Sequence, residues 1–378
     1  MMEQGGEKQD AIEPRRNRLW VVLHGYGGTA QRMDAILRLI DERDPNAEIY
    51  CPQLPIREFS MIDPFEVVEV VCRRIQERSE THPEADIVLV GHSAGAVLAR
   101  AVYARANGMN RRARLDETLR FAFADRIRRV TMLAAVNRGW TFSSALGVGS
   151  KILWGLGTIL GDAVSFLSAG KLVPFIYAFR RGAPFLTTVR LQCLALDDVA
   201  ETEFVQVLGT KDDMVGPDDD IDVAVGSNYT YLEAPDAGHY SIVKLDQLLP
   251  DARRAVARAL FDPVATLSPS ALEKKTVWDL ALLGGDDFGD ETVKERNRRV
   301  DRVVFIIHGI RDNGFWTRRI AHEVLVRGEQ AGRHVRTVTS TYGFFPMGPF
   351  LLPWVRRQKA EWLLDQYGLV VLTTKIEP

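Results

Sequence analysis

The sequence predicts an α/β fold, a mostly parallel sheet flanked by helices, on three observations. From Leu19 onward, short apolar runs alternate with longer stretches of helical periodicity, the pattern that builds strand–helix–strand crossovers. A chain of 378 residues is long enough for one large domain, or for a full domain plus part of another. Hydrophobic residues make up 46% and charged residues 26%, which matches a globular chain and excludes a disordered or fibrous one.

The expected strands are Leu19 to Leu23, Glu48 to Cys51, Asp86 to Val90, Ile127 to Leu133, Phe204 to Leu208 and Tyr229 to Leu232. Between them, Pro64 to Arg78 carries Val67, Val68, Val71 and Ile75 on one helical stripe, and the small residues of Ala94 to Ala106 let a helix lie close to a sheet. About 65 residues separate the strand ending near Ala135 from the one at Phe204, too many for a plain crossover, so this connection carries structure of its own. Its portion Ala145 to Ala178 is rich in Leu, Ile, Val, Phe, Trp and Gly but is interrupted by Lys151, Asp162, Lys171 and Pro174. A transmembrane span needs roughly 20 largely uncharged apolar residues. The segment therefore reads as an apolar helical cap over a pocket, within an insertion covering about 137–200.

A helical stretch from Leu245 to Phe261 closes a domain that begins at residue 19. The polar tail before it, residues 1–18, is expected to be disordered and to hold neither a signal peptide nor an anchor. Residues 262–300, with Pro263, Ser268, Pro269 and an acidic run around Gly285 to Asp290, read as a linker. Residues 301–378 then begin the same pattern again: Arg302 to Ile307 leads into His308-Gly309-Ile310, an echo of Leu23-His24-Gly25-Tyr26. A helical stretch, Trp354 to Tyr367, and a strand-like run, Leu369 to Leu372, follow without a second GxSxG. This incomplete α/β repeat is expected to be catalytically silent and to lean on the first domain or on another subunit, or to remain partly mobile.

With 48 basic and 50 acidic residues the formal net charge is −2, so no overall field draws the chain to nucleic acid. Cys51, Cys72 and Cys193 form neither a paired framework nor a CxxC motif, which fits a reducing, cytoplasmic setting. No HExxH, cysteine cluster or phosphate-binding glycine loop occurs, so neither a metal nor a cofactor is expected.

The strongest chemical signal is Gly91-His92-Ser93-Ala94-Gly95, directly after the apolar run Ile87 to Val90 and directly before a helical stretch. A serine on a sharp strand-to-helix turn needs small residues two positions away on either side, because the helix must approach the sheet closely. The turn exposes the hydroxyl at the strand's end, beside a helix N-terminus that favours negative charge. A serine hydroxyl is a weak nucleophile, so a histidine must take its proton and a carboxylate must orient that histidine. His239 is the one histidine between Ser93 and His308. For the carboxylate, the loop after Phe204 to Leu208 offers the adjacent Asp212 and Asp213.

On these segments residues 19–261 resemble the α/β-hydrolase family, particularly its lipase and esterase branch. His24-Gly25 resembles the family's oxyanion-hole loop, Gly91 to Gly95 its nucleophile elbow, Gly209-x-x-Asp212-x-x-Val215 its acid loop and Gly238-His239 its histidine loop. The spacing of that acid loop selects Asp212, and Asn137-Arg138-Gly139 is similar to a segment that precedes the lid of bacterial lipases. The resemblance implies that the backbone N–H groups of Tyr26 and Ala94 bind an oxyanion. It also implies that His24 shapes its loop and that His92 is a neighbour of the nucleophile rather than a base. The chain departs from the family in starting at the strand before the oxyanion loop and in adding the second partial copy.

The expected activity is hydrolysis of a carboxylic ester through an acyl-enzyme on Ser93, with a lipid or other apolar acyl substrate beneath the cap. Thioesters or amides would use the same groups. A non-catalytic module that docks through the apolar cap, on a protein or peripherally on a membrane, is the alternative from a different class.

Overall fold

The computed structural model describes residues 18–57, 60–139, 174–196, 201–212, 229–267, 300–307, 315–339 and 353–373. Strands β1 (Arg18–Leu23), β2 (Glu48–Tyr50), β3 (Asp86–His92), β4 (Ile127–Leu133), β5 (Glu203–Gly209) and β6 (Tyr229–Ala234) form one sheet in the order β2-β1-β3-β4-β5-β6. All neighbouring pairs are parallel. β3 runs two residues beyond the apolar stretch that marks it in the sequence, because Gly91 pairs with Leu23 and Met132, and His92 with Leu133.

Helices α1 (Asp34–Arg43), α2 (Pro64–Thr81), α3 (Ala94–Ala106), α4 (Pro184–Ala195) and α5 (Pro250–Phe261) cover the sheet. A parallel sheet must be buried on both faces, and alternate residues of each strand serve the two sides. Leu19, Val21, Leu23, Ile87 and Leu89 pack with the Val67, Val68, Val71 and Ile75 stripe of α2 and with α3 and α4. Trp20, Val22, Val88 and Val90 pack on the other side with Ile36, Leu39 and Ile40 of α1 and with α5. α2 starts where it does because the Asp63 side chain accepts a hydrogen bond from the Phe65 N–H (2.9 Å) and Pro64 occupies the first turn.

The stretch expected as one helix from Leu245 is divided. Leu245–Gln247 is a 3₁₀ turn, Leu249 is extended (ψ 152°), and α5 begins at Pro250. A residue before proline is pushed out of the helical region, and proline itself suits the first helical position. Within the expected linker, a short helix α6 (Val264–Leu267) follows. Most of the expected cap, residues 140–173, and the tail 1–17 lie outside the described residues; the end of the insertion provides a 3₁₀ turn, Phe175–Phe179, and α4.

In the C-terminal part, β7 (Arg302–Ile306), α7 (Phe315–Gln330) and β8 (Val335–Thr339) form a parallel β-α-β unit, the connectivity of β1-α1-β2. The strand expected at Leu369 to Leu372 is not one: α8 (Pro353–Thr373) continues through it. Extending an existing helix over Val370 and Val371 costs at most about 0.7 kcal/mol each, and each added residue gains a backbone hydrogen bond without a new nucleation step.

α8 packs on α4 and brings two carboxylates, one helical turn apart, onto three arginines of the first domain. Asp365 takes Arg138 and Arg190, both at 3.2 Å, and Glu361 takes Arg180 at 2.7 Å. Asp365, Arg138 and Arg190 are almost wholly inaccessible to solvent. Burial alone would raise Asp365, but the charges of Arg138, Arg190 and Arg181 outweigh it and hold the carboxyl below its usual range. The chain of the first domain yields to the helix at Gly182 (φ 76°), where an added Cβ would lie 1.7 Å from the Glu361 carbonyl oxygen. Truncating Asp365 to Ala should destabilise the protein by about 3–5 kcal/mol, because two buried guanidinium groups lose their counter-charge. Urea unfolding checks this; a loss within experimental error of zero would mean that the arginines are compensated elsewhere.

Candidate active site

Ser93 sits between β3 and α3 with φ 55° and ψ −124°, in a region that side-chain-bearing residues rarely enter. The turn is held by its own amide, which donates to the Leu133 carbonyl of β4 (3.0 Å), and by the Ala96 N–H, which donates to the Ser93 carbonyl (3.0 Å). The flanking glycines are required by space. An added Cβ at Gly91 would lie 2.4 Å from the Ala96 Cα, and one at Gly95 would lie 2.3 Å from the Leu23 carbonyl oxygen. Backbone therefore meets backbone on both sides of the serine, and α3 lies against β1 and β3.

The side chain of Ser93 points to His239. Ser93 Oγ lies 2.9 Å from His239 Nε2, and His239 Nδ1 lies 2.9 Å from Asp212 Oδ2. A carboxylate only accepts, so Nδ1 carries the proton and donates to Asp212, while Nε2 accepts the Ser93 hydroxyl. Asp212 and His239 side chains are each 3% exposed. Their loops are laced together: the Lys211 N–H donates to the Ala237 carbonyl (2.9 Å) and the Asp236 N–H to Thr210 Oγ1 (2.8 Å). Asp213, the other carboxylate of the sequence reading, lies outside the described residues.

The residues expected to form the oxyanion loop are adjacent. The Gly25 backbone is so near Ser93 that an added Cβ would be 3.0 Å from the Ser93 Cβ, and Tyr26 follows it. Ala94 is the first residue of α3, a position whose N–H has no intrahelical acceptor. Buried His24 braces this loop: its Nε2 accepts the Leu54 N–H (2.9 Å) and its Nδ1–H donates to the Gly25 carbonyl (2.9 Å).

Three contacts were invisible in the sequence. Buried His92 is more than a neighbour, since its Nε2–H donates to the carbonyl oxygen of His239 (2.8 Å) and so fixes the histidine loop to the elbow. The Tyr26 ring stacks on Phe175, with centroids 6.2 Å apart, and Phe175 leads into Phe179 and Phe185. Tyr240, next to His239, stands edge-on to its ring at 5.2 Å and lies beneath the Arg32 guanidinium at 5.7 Å. No local pattern in the sequence signals these pairings, which, apart from the His239–Tyr240 contact, join segments far apart along the chain.

A sequence profile of the α/β hydrolase family matches residues 20–352. Among solved structures, the mature lipase BlEst2 of Bacillus licheniformis is similar over 62% of this chain and 89% of its own, at 15% identity and a TM-score of 0.40. The monoacylglycerol lipase of Paleococcus ferrophilus is similar over 64% and 93%, at 14% identity and a TM-score of 0.40. Phospholipase PlaB of Legionella pneumophila is similar over 79% and 72%, at 10% identity and a TM-score of 0.44. No curated protein matches the chain.

Burial lowers the basicity of His24 and brings His92 down to about 3. Both are neutral in the native protein at pH values where the unfolded chain protonates them, so the unfolded state binds more protons below about pH 6.5. Stability should therefore fall as pH decreases from 6.5, at a limiting slope of about 1.4 kcal/mol per pH unit for His92. Urea midpoints between pH 7 and 4.5 should drop less steeply in His92→Gln than in the wild type. Parallel curves would show that His92 is protonated in the folded state.

Proposed function

Since the chain belongs to the α/β hydrolase family, we propose that it is a serine hydrolase that cleaves carboxylic esters through an acyl-enzyme on Ser93. The observation that carries this reading is the unbroken relay from Asp212 through His239 to Ser93, with both contacts at 2.9 Å. His239 Nε2 takes the hydroxyl proton as Ser93 Oγ attacks the ester carbonyl carbon, and Asp212 stabilises the resulting imidazolium. The N–H groups of Ala94 and Tyr26 receive the oxyanion. Collapse breaks the bond to the alcohol oxygen, which leaves with the proton from Nε2. Water then enters by the same steps in reverse and releases the acid.

An apolar acyl substrate is supported by the stacking of Tyr26, which follows Gly25 beside Ser93, on Phe175 and by the apolar composition of residues 145–178. Among the described residues no helix is long and apolar enough to cross a membrane. Cys51, Cys72 and Cys193 are in no disulfide with one another, in keeping with a reducing, cytoplasmic compartment.

A fluorophosphonate probe should label the wild type and not Ser93→Ala, and Ser93→Ala should lose roughly 10⁶-fold in kcat on 4-nitrophenyl esters. Asp212→Asn should lose roughly 10⁴-fold through the wrong imidazole tautomer. Activity surviving in Ser93→Ala would end the serine mechanism, and an unimpaired Asp212→Asn would move the acid role to Asp213. Across acyl chains from acetyl to octanoyl, kcat/KM should rise with length, since each buried methylene is worth about 0.8 kcal/mol. A flat series would speak against an apolar acyl site.

A further inference from the structure

Arg32 is a cation between the loop after β1 and Tyr240, the neighbour of His239. It lies in the 3₁₀ turn Ala30–Met33 that follows the Gly25 loop, and its side chain lies against that loop, with its Cδ 3.5 Å from where a Gly28 Cβ would be. Its guanidinium carbon lies 5.7 Å from the centroid of Tyr240, and Tyr240 stands edge-on to His239. Arg32 is exposed, Tyr240 is 46% exposed, and no carboxylate among the described residues pairs with this guanidinium. The cation on the neighbouring acid loop differs: Lys211 is matched by Asp236 at 2.6 Å. Burial is the main cause of the low basicity of both His24 and His92, yet the Arg32 charge adds to it in each case, so its field reaches the site interior.

An arginine stacked on an aromatic ring keeps its N–H fork free at the edge, the geometry that takes a carboxylate or phosphate through two parallel bonds. The ring also removes much of the side-chain freedom that such binding would otherwise cost. We propose that Arg32, held by Tyr240, forms an anion subsite beside the nucleophile, so that the preferred ester carries a carboxylate or phosphate near its scissile bond. The proposal rests on the serine-esterase reading and adds the charge of the substrate to it.

Two matched pairs of esters test the proposal on the full chain. Mono-4-nitrophenyl glutarate is set against 4-nitrophenyl valerate for a carboxylate, and dihexanoyl phosphatidic acid against dihexanoylglycerol for a phosphate. The wild type should show a charged-to-neutral ratio of kcat/KM above one in at least one pair, and that pair names the anion. In that pair Arg32→Gln should lower the ratio roughly tenfold, Arg32→Lys less, and high salt should weaken it in the wild type because the site is open to solvent. Ratios that are the same in the wild type and Arg32→Gln for both pairs would overturn the subsite, with fluorophosphonate labelling still intact. Absence of labelling in the wild type would instead overturn the esterase reading on which the subsite stands.

Discussion

The left-handed turn at Ser93 sets the terms for the rest of the structure. A non-glycine residue at φ 55° stores on the order of 1–3 kcal/mol, and it stays there only if its surroundings allow no alternative. They do so through contact: Gly91 and Gly95 admit α3 onto the backbone of β1 and β3, and the Ser93 amide is bonded to Leu133. The helix then buries Val97, Leu98, Val102 and Tyr103 in the core. At about 1.5–3 kcal/mol for each large apolar side chain, two such residues outweigh the strain. The alanines of α3 follow from the same close approach, since a bulkier helix would stand off the sheet and release the turn.

Around that turn three histidines have separate tasks, assigned by what their nitrogens meet. His24 is committed at both nitrogens to the backbone of its own region, and His92 gives its Nε2–H to the backbone of the histidine loop. Burial keeps both neutral. His239 alone lies between a carboxylate and a hydroxyl. The two neutral rings act as braces, and their resistance to protonation protects the geometry: a charged His92 would put a second positive charge beside an imidazolium formed at His239.

Strands and elbow were legible in the sequence because their causes are local. Alternate burial on two faces demands apolar runs such as Leu19 to Leu23 and Ile87 to Val90, and a glycine-flanked serine can be read from five adjacent residues. The choice of Asp212 needed the family's loop spacing, since nothing in two adjacent aspartates tells which one turns inward. Leu369 to Leu372 misled because β-branched residues favour strands only when a partner strand is there to pair with. The contacts of Arg32 with Tyr240 and of Phe175 with Tyr26 join residues brought together only by the completed sheet, and single-sequence patterns hold no trace of them.

The same is true of the charges that join the C-terminal helix to the first domain, and they change what the repeat means. Glu361 and Asp365, four residues apart on a helix, have the spacing of an ordinary solvated face. In the fold they meet Arg138, Arg180 and Arg190 out of water. A buried ion pair adds little to net stability against an apolar replacement, but it is exacting about geometry, because either partner left alone is costly. Arg138 belongs to the segment that leaves β4 five residues after Leu133, whose carbonyl holds the Ser93 amide, and Asn137 beside it is bonded to Arg100 of α3 and to Gln206 of β5. The C-terminal helix thus supplies the counter-charge for a stretch of chain that is itself fastened to the elbow helix and the sheet. Of a C-terminal part whose sequence holds no second GxSxG, it is this helix, packed on α4, that is tied by charge to the first domain.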